Sequence, residues 1–526
     1  MSTPAPTPYD KVPYPSYTRI QTHPDRLATI GKLLGMNPTP VERCRMLELG
    51  CGNGSNIGPI AFGLPESEFV GVDLAALPIA KGRRMVDELG LKNLAFQNSS
   101  ITDVTADLGK FDYIVCHGVY SWVPQEVRDA ILRVCRENLA PQGIAFVSYN
   151  AYPGNRLREM IREMMLFHTH GFSEPNEKIE QARALAGFVA AAQDEQDLYR
   201  KFLKAEMEMF LRQDGNYFFH DALAEINTPF YFYQFMTAAH AQRLSYLGEA
   251  DFHMMLDLTL PPAVGKKLDE LSGNRIAREQ YLDFLRCRRF RQTLLCHPEV
   301  QIDLSLKAER ITQFHLAGSV TCMSENPSPH TRTLEKFENK LGARVQTDSQ
   351  LAKTALLLLE NEWPQAVAFH ELLRRAQEKL AASGEPRPEN EDEELREFEN
   401  VLFRSYATGL IELHTYSPKI DRRITEKPTA SPLARWQVHD GDFITTLFHA
   451  SLSIHDSLTR ELLTLMDGTR DRAGLLAALE ASLDERRRAE NAQGKPVADD
   501  AKTRELLAQA LDQNLVRMAR MGLLTG

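Results

Sequence analysis

Short apolar runs alternate with amphipathic stretches between residues 45 and 150. The apolar runs predict five strands, at 46–49, 69–73, 94–97, 113–116 and 144–148. Helical patterns lie between them, such as residues 127–139, which stop before a Pro-Gln-Gly sequence. Continuous apolar strands that alternate with helices are typical of a parallel sheet with helices on both faces. We therefore predict an α/β fold for this part of the chain.

The pattern changes after residue 155. Residues 156–229 carry helical patterns and predict an insertion, whereas apolar runs at 244–247 and 290–296 predict two more strands, so that residues 230–298 complete the sheet. Residues 299–416 predict a separate middle α+β domain with one long helix near 350–380. The acidic stretch 384–394 is expected to be a solvated loop. Residues 417–526 predict a last, smaller domain.

Composition and charge narrow the functional classes. The chain has 526 residues, 43% of them hydrophobic and 25% charged, with a net charge of −10. Nucleic-acid binders usually show a basic face, and here only one short basic run occurs, at 286–291. The start has no apolar signal region, and no apolar run is long enough to cross a bilayer. We expect no nucleic-acid partner and no membrane insertion.

The cysteines indicate the compartment. There are seven, an odd number, scattered along the chain without a CxxC pair. This usage fits reduced thiols in a cytosol better than zinc binding or a disulfide framework. We therefore expect a cytoplasmic protein without a metal.

The strongest chemical signal is the sequence LELGCGNGSN at residues 47–56. Its glycines, Gly50, Gly52 and Gly54, allow a tight turn and let a ligand approach the main chain. Asp73 ends the second strand nineteen residues after Gly54, where a carboxylate can accept both hydroxyls of a ribose. Because strand, glycines, helix and acid occur in register, a glycine-rich turn without a ligand is the weaker interpretation.

The spacing of this motif distinguishes two kinds of cofactor. Nicotinamide dinucleotide sites have the fingerprint GxGxxG, whereas this chain has GxGxG preceded by Glu48. An acid at that position is unfavourable beside a pyrophosphate. It suits a ligand with an amino group and a positive centre.

The order E-x-G-x-G-x-G, with an acid at the end of the second strand, resembles class I S-adenosylmethionine-dependent methyltransferases over roughly residues 25–150. The stretches YDKVPYPSYTRIQTHPDRLA, HGVYSWVP, SYNAYPG and DFLRCRRFRQTLL extend the resemblance over most of the chain. They resemble bacterial methyltransferases with an appended methyltransferase regulatory domain, a group that includes rickettsial-type protein lysine methyltransferases. This resemblance implies a Rossmann-like sheet with a helical insertion for dimerisation or as a lid, a middle domain and a C-terminal winged-helix-like domain. It also implies S-adenosylmethionine as cofactor, S-adenosylhomocysteine as product, and no metal.

The resemblance assigns three kinds of cofactor contact. The glycine loop would line the methionine part, the acid of the second strand would bind the ribose, and the stretch after the third strand would touch the adenine. The family often places an acid at the adenine, whereas this chain has Asn98-Ser99-Ser100-Ile101 there with Asp103 as a further candidate, which leaves that contact open. The implied cofactor-binding residues are Glu48, Gly50, Cys51, Gly52, Asn53, Gly54, Asp73, Leu74, Ser99, Ser100, Ile101, His117 and Gly118.

Methyl transfer is an in-line displacement with an activated cofactor, so the protein mainly positions the nucleophile. A lysine acceptor must first lose a proton, since its ordinary pKa is about 10.4, and a desolvated aromatic pocket lowers that pKa. The stretch YIVCHGVYSWVP places polar and aromatic residues at the exit of the fourth strand, where a doubly wound sheet binds its ligands. The acceptor-site candidates are His117, Tyr120, Trp122, Tyr149 and Asn150.

Structural roles compete with these assignments. His117 could be a general base, could orient the amine, could line the cofactor, or could simply be satisfied by backbone groups. Trp122 could cap the core instead of lining an acceptor path. Tyr14, Tyr17 and His23 lie in an N-terminal arm that could fold over the cofactor.

Three functional hypotheses remain in order of support. The first is an S-adenosylmethionine-dependent methyltransferase that acts on lysine side chains in proteins, with a homodimer formed through the insertion. The second is a small-molecule methyltransferase, although the appended domains favour a bulky acceptor. The third is a non-catalytic cofactor-binding regulator, which would require damage to the glycine motif or Asp73 that the sequence does not show.

Overall fold

A seven-stranded sheet forms the centre of the protein. The computed structural model describes residues 12, 14, 17–193, 196–213, 215–256, 260–383, 390–418, 420, 422–491 and 500–525, with side chains outside 486–503. The strands are β1 (Arg45–Leu49), β2 (Glu68–Asp73), β3 (Leu94–Asn98), β4 (Phe111–Cys116), β5 (Leu139–Asn150), β6 (Ser245–Glu249) and β7 (Phe290–Cys296).

The strand order is β3-β2-β1-β4-β5-β7-β6. Strands β1 to β5 pair in parallel, whereas β7 runs antiparallel to both of its neighbours. The order reverses between β1 and β4, and ligands of such sheets bind in the crevice at the carboxyl ends of the strands beside that point. The predicted Rossmann-like α/β class is confirmed.

Helices cover both faces of this sheet. Up to its last strand the helices are α1 (Pro24–Leu33), α2 (Ile57–Gly63), α3 (Ala76–Leu89), α4 (Gln125–Asn138), α5 (Asn155–Thr169), α6 (Pro175–Ala191), α7 (Leu198–Arg212), α8 (Gly215–Ala222), α9 (Phe232–Ala241), α10 (Pro262–Leu271) and α11 (Arg275–Arg286). One hydrophobic cluster joins α1, α2 and α3 to one face of the sheet, and a second joins α4 and α9 to the other. Helices α5 to α8 form the insertion, which has a hydrophobic cluster of its own.

The described residues that follow the sheet, up to residue 416, form two small sheets and three α-helices. Its elements are β8 (His315–Ala317), β9 (Val320–Cys322), β10 (Glu335–Asn339), β11 (Arg344–Thr347), α12 (Gln350–Glu362), β12 (Val367–Ala368), α13 (Phe369–Ala381), α14 (Glu391–Ala407) and β13 (Glu412–His414). The sequence predicts one long helix near 350–380, and that prediction is wrong. The chain forms α12 and α13 instead, because Pro364, just after α12, has no N–H for a continuing helix.

This middle part packs directly on the sheet. One continuous hydrophobic cluster includes Leu27 and Leu33 of α1 together with Leu356 of α12 and Leu413 of β13. The expected separate unit therefore shares its core with the parallel sheet. The sequence predicts a loop for the whole acidic stretch 384–394, but residues 391–394 form the first turn of α14, and residues 384–389 lie outside the described residues.

A buried ion pair reinforces the contact between α1 and β13. The Asp25 carboxylate accepts hydrogen bonds from His414 Nδ1 at 2.7 Å and from the Thr415 backbone N–H at 2.6 Å. Burial by itself lowers the pKa of the His414 imidazole, but the carboxylates of Asp25 and Glu412 outweigh it and raise that pKa to about 9. His414 is therefore charged at neutral pH and ties the N-terminal helix to the middle part.

The C-terminal part has a separate core. It consists of α15 (Pro432–Asp440), β14 (Phe443–Thr445), β15 (Ser451–Ser453), α16 (Ser457–Leu465), α17 (Arg472–Asn491) and α18 (Asp500–Arg520). Strands β14 and β15 form a hairpin, and the helices pack around their own hydrophobic cluster. Helices with a two-stranded wing are the architecture that the resemblance implies for this part. Among the described residues, no helix combines the length and apolarity that a bilayer crossing requires.

Candidate functional site

The glycine loop connects β1 to α2 at the carboxyl edge of the sheet. Gly50, Gly52 and Gly54 have φ angles of 74°, 55° and 75°, which disfavour residues with a side chain. A Cβ atom on Gly50 would lie 2.4 Å from Val119, and one on Gly54 would lie 2.3 Å from the Phe96 ring. A Cβ on Gly52 would meet nothing within 4 Å. Two of the glycines thus permit close packing, whereas Gly52 faces open space.

Asp73 connects the end of β2 to this loop. Its carboxylate accepts hydrogen bonds from the backbone N–H groups of Gly52 and Ala75, both at 2.8 Å. The neighbouring Leu74 side chain is about half exposed, and the Asn98 side-chain amide donates to the Leu74 carbonyl at 2.9 Å. A carboxylate has about four acceptor positions. Its position beside Gly52 therefore suits the recognition of ligand hydroxyls.

Glu48 lies behind the same loop and is only 4% exposed. Its Oε1 accepts a hydrogen bond from Asn56 Nδ2 at 2.7 Å, whereas Oε2 is buried without a partner among the described residues. Burial raises the pKa of this carboxyl to about 8; hydrogen bonds from the Asn56 side chain and the Ile57 backbone N–H oppose the rise, and the negative charge of Asp73 adds to it. A buried carboxyl oxygen without a partner is unfavourable, and a positively charged donor on a ligand would bond to it and favour its ionised form. A ligand ammonium would be such a donor.

The stretch after β3 reaches the same edge. The Ser99 backbone N–H donates to the Asp73 carbonyl at 3.1 Å. The Ser100 hydroxyl accepts from the Thr102 backbone N–H at 3.2 Å and so caps a short 3-10 helix at 101–103. Ile101 is buried in the hydrophobic cluster beneath α4. Ser99 thus lies beside the acid at the end of β2, whereas Ser100 and Ile101 already have structural partners.

The residues that follow β4 lie across the crevice from Asp73. His117 is half-buried, with its ring 5.9 Å from Phe146 and 6.0 Å from Phe290. Desolvation lowers the pKa of its imidazole to about 3, with a smaller contribution from the positive charge of Arg19. Next to it, Gly118 has a φ of 68° and open space at its Cβ position, and its N–H donates to Ser148 Oγ at 2.8 Å. The imidazole is therefore neutral at physiological pH.

Tyr120 and Tyr149 lie in an aromatic core. They are 2% and 1% exposed, and both rings pack against Phe235, at 5.2 and 4.2 Å. The Tyr149 hydroxyl is 3.2 Å from Thr293 Oγ1. Sequence reasoning expected these rings at the acceptor site, but the structure gives them a packing role because the sheet and α9 enclose them.

Asn150 is buried at the end of β5, whereas Trp122 is partly exposed. The Asn150 amide donates to Asn227 Oδ1 at 2.8 Å, and its backbone N–H donates to Ser121 Oγ at 2.9 Å. Trp122 ends a short 3-10 helix and is partly exposed. Cys51 and Asn53 lie in the glycine loop, where the Cys51 thiol is buried and Asn53 Oδ1 accepts from the Ser55 N–H at 3.1 Å.

The N-terminal arm runs from the insertion to the glycine loop. Tyr14 packs against Tyr217 of α8 at 5.8 Å, and the Arg19 guanidinium lies 4.0 Å from the Tyr17 ring centroid. The Arg19 backbone N–H then donates to Asn56 Oδ1 at 2.8 Å. Sequence reasoning missed Asn56, although it is the last residue of the recognised motif LELGCGNGSN.

No metal centre is visible in the part of the chain that the structure describes, where no three His, Cys, Asp or Glu side chains are grouped to bind an ion. The cysteines are free and mostly buried.

Three sequence families match segments of this chain. Residues 47–145 match a methyltransferase domain, residues 214–297 match a predicted methyltransferase regulatory domain, and residues 426–523 match the C-terminal winged helix domain of PKMT. The first match spans the glycine loop and the exit of β4. The third spans the C-terminal part with its hairpin.

Similar proteins extend over almost the whole chain. The uncharacterised protein RP789 of Rickettsia prowazekii is 34% identical over 481 residues, which cover 90% of this chain and 85% of that protein. The structure of PKMT2 from Rickettsia typhi has 30% identity and a TM-score of 0.85, over 98% of this chain and 100% of that one. The same protein in complex with AdoHcy gives a TM-score of 0.84 with the same coverage.

Proposed function

Because the chain belongs to the methyltransferase family of PKMT2 from Rickettsia typhi, we propose that it transfers the methyl group of S-adenosylmethionine to lysine side chains of protein substrates. The methyltransferase activity rests on the matching domain and on the fold. The lysine acceptor rests on the chemistry of the crevice and on the family. A cytosolic location and the division at residues 155, 229, 298 and 416 are part of the same proposal.

The crevice offers suitable partners for both the methionine part and the ribose of S-adenosylmethionine. The buried Oε2 of Glu48 lacks a partner among the described residues and would pair with the cofactor's amino group, and the open surface at Gly52 and Gly118 would admit its methionine part. Asp73 would accept the ribose hydroxyls. The cofactor supplies an activated methyl group on a positively charged sulfur. The complex of PKMT2 with AdoHcy supports this choice of cofactor.

The environment of His117 carries the acceptor proposal. The surroundings that lower the pKa of this imidazole to about 3 would also disfavour the charged form of a lysine amine. A lysine amine held in these surroundings, with Phe146 and Phe290 beside it, would release its ammonium proton to water and present a neutral nitrogen. An imidazole with so low a pKa is a weak base, so we assign His117 to lining and positioning.

We expect label from methyl-labelled S-adenosylmethionine to enter proteins of a bacterial extract and to be recovered as methyl-lysine after acid hydrolysis. The Asp73→Ala variant serves as the inactive control. Label found only in the small-molecule fraction would contradict the protein acceptor and favour a small-molecule methyltransferase. Label recovered on another amino acid would contradict the lysine acceptor but not the protein acceptor.

We also propose that the insertion forms a homodimer. Phe167 of α5 and Phe188 of α6 are 81% and 71% exposed, and Met164, Leu185 and Val189 line a groove on the same two helices. Monomeric proteins rarely expose such an apolar patch. A second copy of the insertion would bury these side chains.

Sedimentation velocity is expected to show a dimer for the wild-type protein and a monomer for the Phe167→Asp/Phe188→Asp variant, because buried carboxylates without partners oppose the contact. Leu341→Asp is the matched control, since Leu341 is 94% exposed at the turn between β10 and β11. That control should remain dimeric. A monomeric wild-type protein at micromolar concentration would rule out this interface.

A further inference from the structure

The C-terminal hairpin reaches the back of the cofactor crevice. Residues 446–450 connect β14 to β15, and His449 in this connection is only 5% exposed. Its imidazole Nε2 lies 3.3 Å from Oδ1 of Asn56, the residue that immediately precedes α2. A residue of the winged-helix part thus contacts the loop that would hold the cofactor.

The orientation of Asn56 fixes the direction of this contact. Its Oδ1 accepts from the Arg19 backbone N–H at 2.8 Å, so this atom is the amide oxygen. Since an amide oxygen only accepts, Nε2 of His449 must donate. Asn56 Nδ2 in turn donates to Glu48 Oε1 at 2.7 Å and to Thr22 Oγ1 at 2.9 Å. A continuous chain of hydrogen bonds therefore runs from His449 through Asn56 to Glu48.

The backbone of His449 is unusual for this residue type. Its φ angle is 63°, in the left-handed region that non-glycine residues seldom adopt. Three hydrogen bonds hold the turn: from Thr446 N–H to the Ala450 carbonyl at 2.9 Å, from His449 N–H to the Thr446 carbonyl at 3.0 Å and from Ala450 N–H to Thr446 Oγ1 at 3.0 Å. Unfavourable backbone conformations persist where the surrounding structure over-determines them, and they concentrate at functional sites. Glycine would fit this turn, so the imidazole itself requires an explanation.

The hairpin is also fastened to the N-terminal arm. The Thr18 backbone N–H donates to Ser451 Oγ at 2.8 Å, and the Thr18 hydroxyl donates to the His449 carbonyl at 3.1 Å. The His449 and His23 rings are 5.2 Å apart. Burial and the neighbouring His23 lower the pKa of the His449 imidazole well below its ordinary value, so it is neutral. Arm, hairpin and glycine loop therefore meet at one buried polar cluster.

We infer that His449 is a positioning residue for the cofactor: through Asn56 it holds the Glu48 carboxyl group in place, so the docked winged-helix part completes the cofactor site. This inference rests on the proposed function, because it takes Glu48 to face the cofactor's amino group. It gives the C-terminal part a role within the enzyme. By linkage, cofactor binding must strengthen the docking of the hairpin as much as docking strengthens cofactor binding.

Calorimetric titration with S-adenosylhomocysteine tests the inference. His449→Gly removes the imidazole, and the variant should still fold because glycine suits the left-handed turn. It should bind S-adenosylhomocysteine about tenfold more weakly than the wild type, as expected for one lost hydrogen bond. His449→Gln restores a donor and should bind within about threefold of the wild type. Ser451→Ala is the matched control, since Ser451 contacts the arm but not Asn56, and its affinity should change by less than about twofold.

A double variant separates positioning from general destabilisation. In an Asn56→Ala background, His449→Gly should cause no further loss of affinity, because the link to Glu48 is already broken. Hydrogen exchange of residues 446–453 in the wild-type protein should slow when S-adenosylhomocysteine is added, which provides a measurement independent of variant folding.

The outcomes distinguish the two proposals. The role of His449 would be overturned, while the cofactor assignment stands, by any of three results. The His449→Gly variant could bind S-adenosylhomocysteine as tightly as the wild type, or His449→Gly could weaken binding equally in the Asn56→Ala background. The third result is hydrogen exchange of the hairpin that does not change when the ligand is added. Absence of any binding to the wild-type protein would instead overturn the cofactor assignment, and this inference with it.

Discussion

Replacing Asp73 by Ala is expected to weaken S-adenosylmethionine binding by about 100-fold or more. The carboxylate would accept the two ribose hydroxyls, and charge-assisted hydrogen bonds are worth roughly 1.5–3 kcal/mol each. It also accepts the Gly52 N–H, so its loss loosens the loop on the methionine side. Asp73→Asn should cause a smaller loss, about tenfold, because its amide keeps one oxygen acceptor. Calorimetric titration with cofactor and with S-adenosylhomocysteine measures both variants.

Asp112 provides the matched control for Asp73. Its carboxylate likewise accepts a backbone N–H, from Arg45 at 2.8 Å, and a hydroxyl, from Thr39 at 2.6 Å. It lies on β4 near the opposite edge of the sheet. Asp112→Ala should therefore lower the melting temperature without changing cofactor affinity. Equal losses of affinity in both variants would show that Asp73 acts only through the stability of the sheet.

Local pattern predicted the sheet well because its strands are buried on both faces. The runs 46–49, 69–73 and 113–116 are mostly apolar, interrupted only by Glu48, Gly71 and Asp73, and each lies in a strand of the structure. The prediction of one helix near 350–380 is wrong because the apolar periodicity continues through Pro364, whereas a helical backbone cannot continue there. The shared core of α1 and the middle part could not be predicted, since it depends on contacts between residues more than 300 positions apart, such as the hydrogen bond from the Thr29 hydroxyl to the Leu413 carbonyl at 3.3 Å.

The candidate site divides in the same way. Gly52, Asp73 and Glu48 could be found because strand, turn and acid follow each other at fixed spacing, and the structure places them together. Tyr120 and Tyr149 were expected at the acceptor, yet an aromatic residue at a strand exit packs into the core as readily as it faces a ligand. His449 carried no sequence signal, because its partner Asn56 is 393 residues away.

Replacing Glu48 by Gln is expected to abolish a proton release that accompanies cofactor binding in the wild-type protein. The pKa of Glu48 is raised to about 8, first because the group is buried, so most molecules carry a neutral carboxyl at pH 7. A cofactor ammonium favours the carboxylate, so binding releases up to one proton and affinity should rise with pH up to about 8. Calorimetry at pH 7 in buffers of different ionisation enthalpy measures the number of protons released. Glu68→Gln is the control, because Glu68 forms an exposed ion pair with Arg45 at the far end of β2.

The same substitution should change stability in the opposite sense to affinity. A carboxyl whose pKa is higher in the folded than in the unfolded chain stabilises the fold fully below the unfolded pKa, and that stability is lost as pH rises through about 8. The ligand-free Gln variant should therefore lose less stability than the wild type between pH 5 and about 8, while it binds the cofactor about tenfold to 100-fold more weakly at pH 8. Denaturant titrations at several pH values supply the first comparison. Equal pH slopes for the two proteins, with equal proton counts on binding, would mean that Glu48 is a structural acid and that another group receives the cofactor's ammonium.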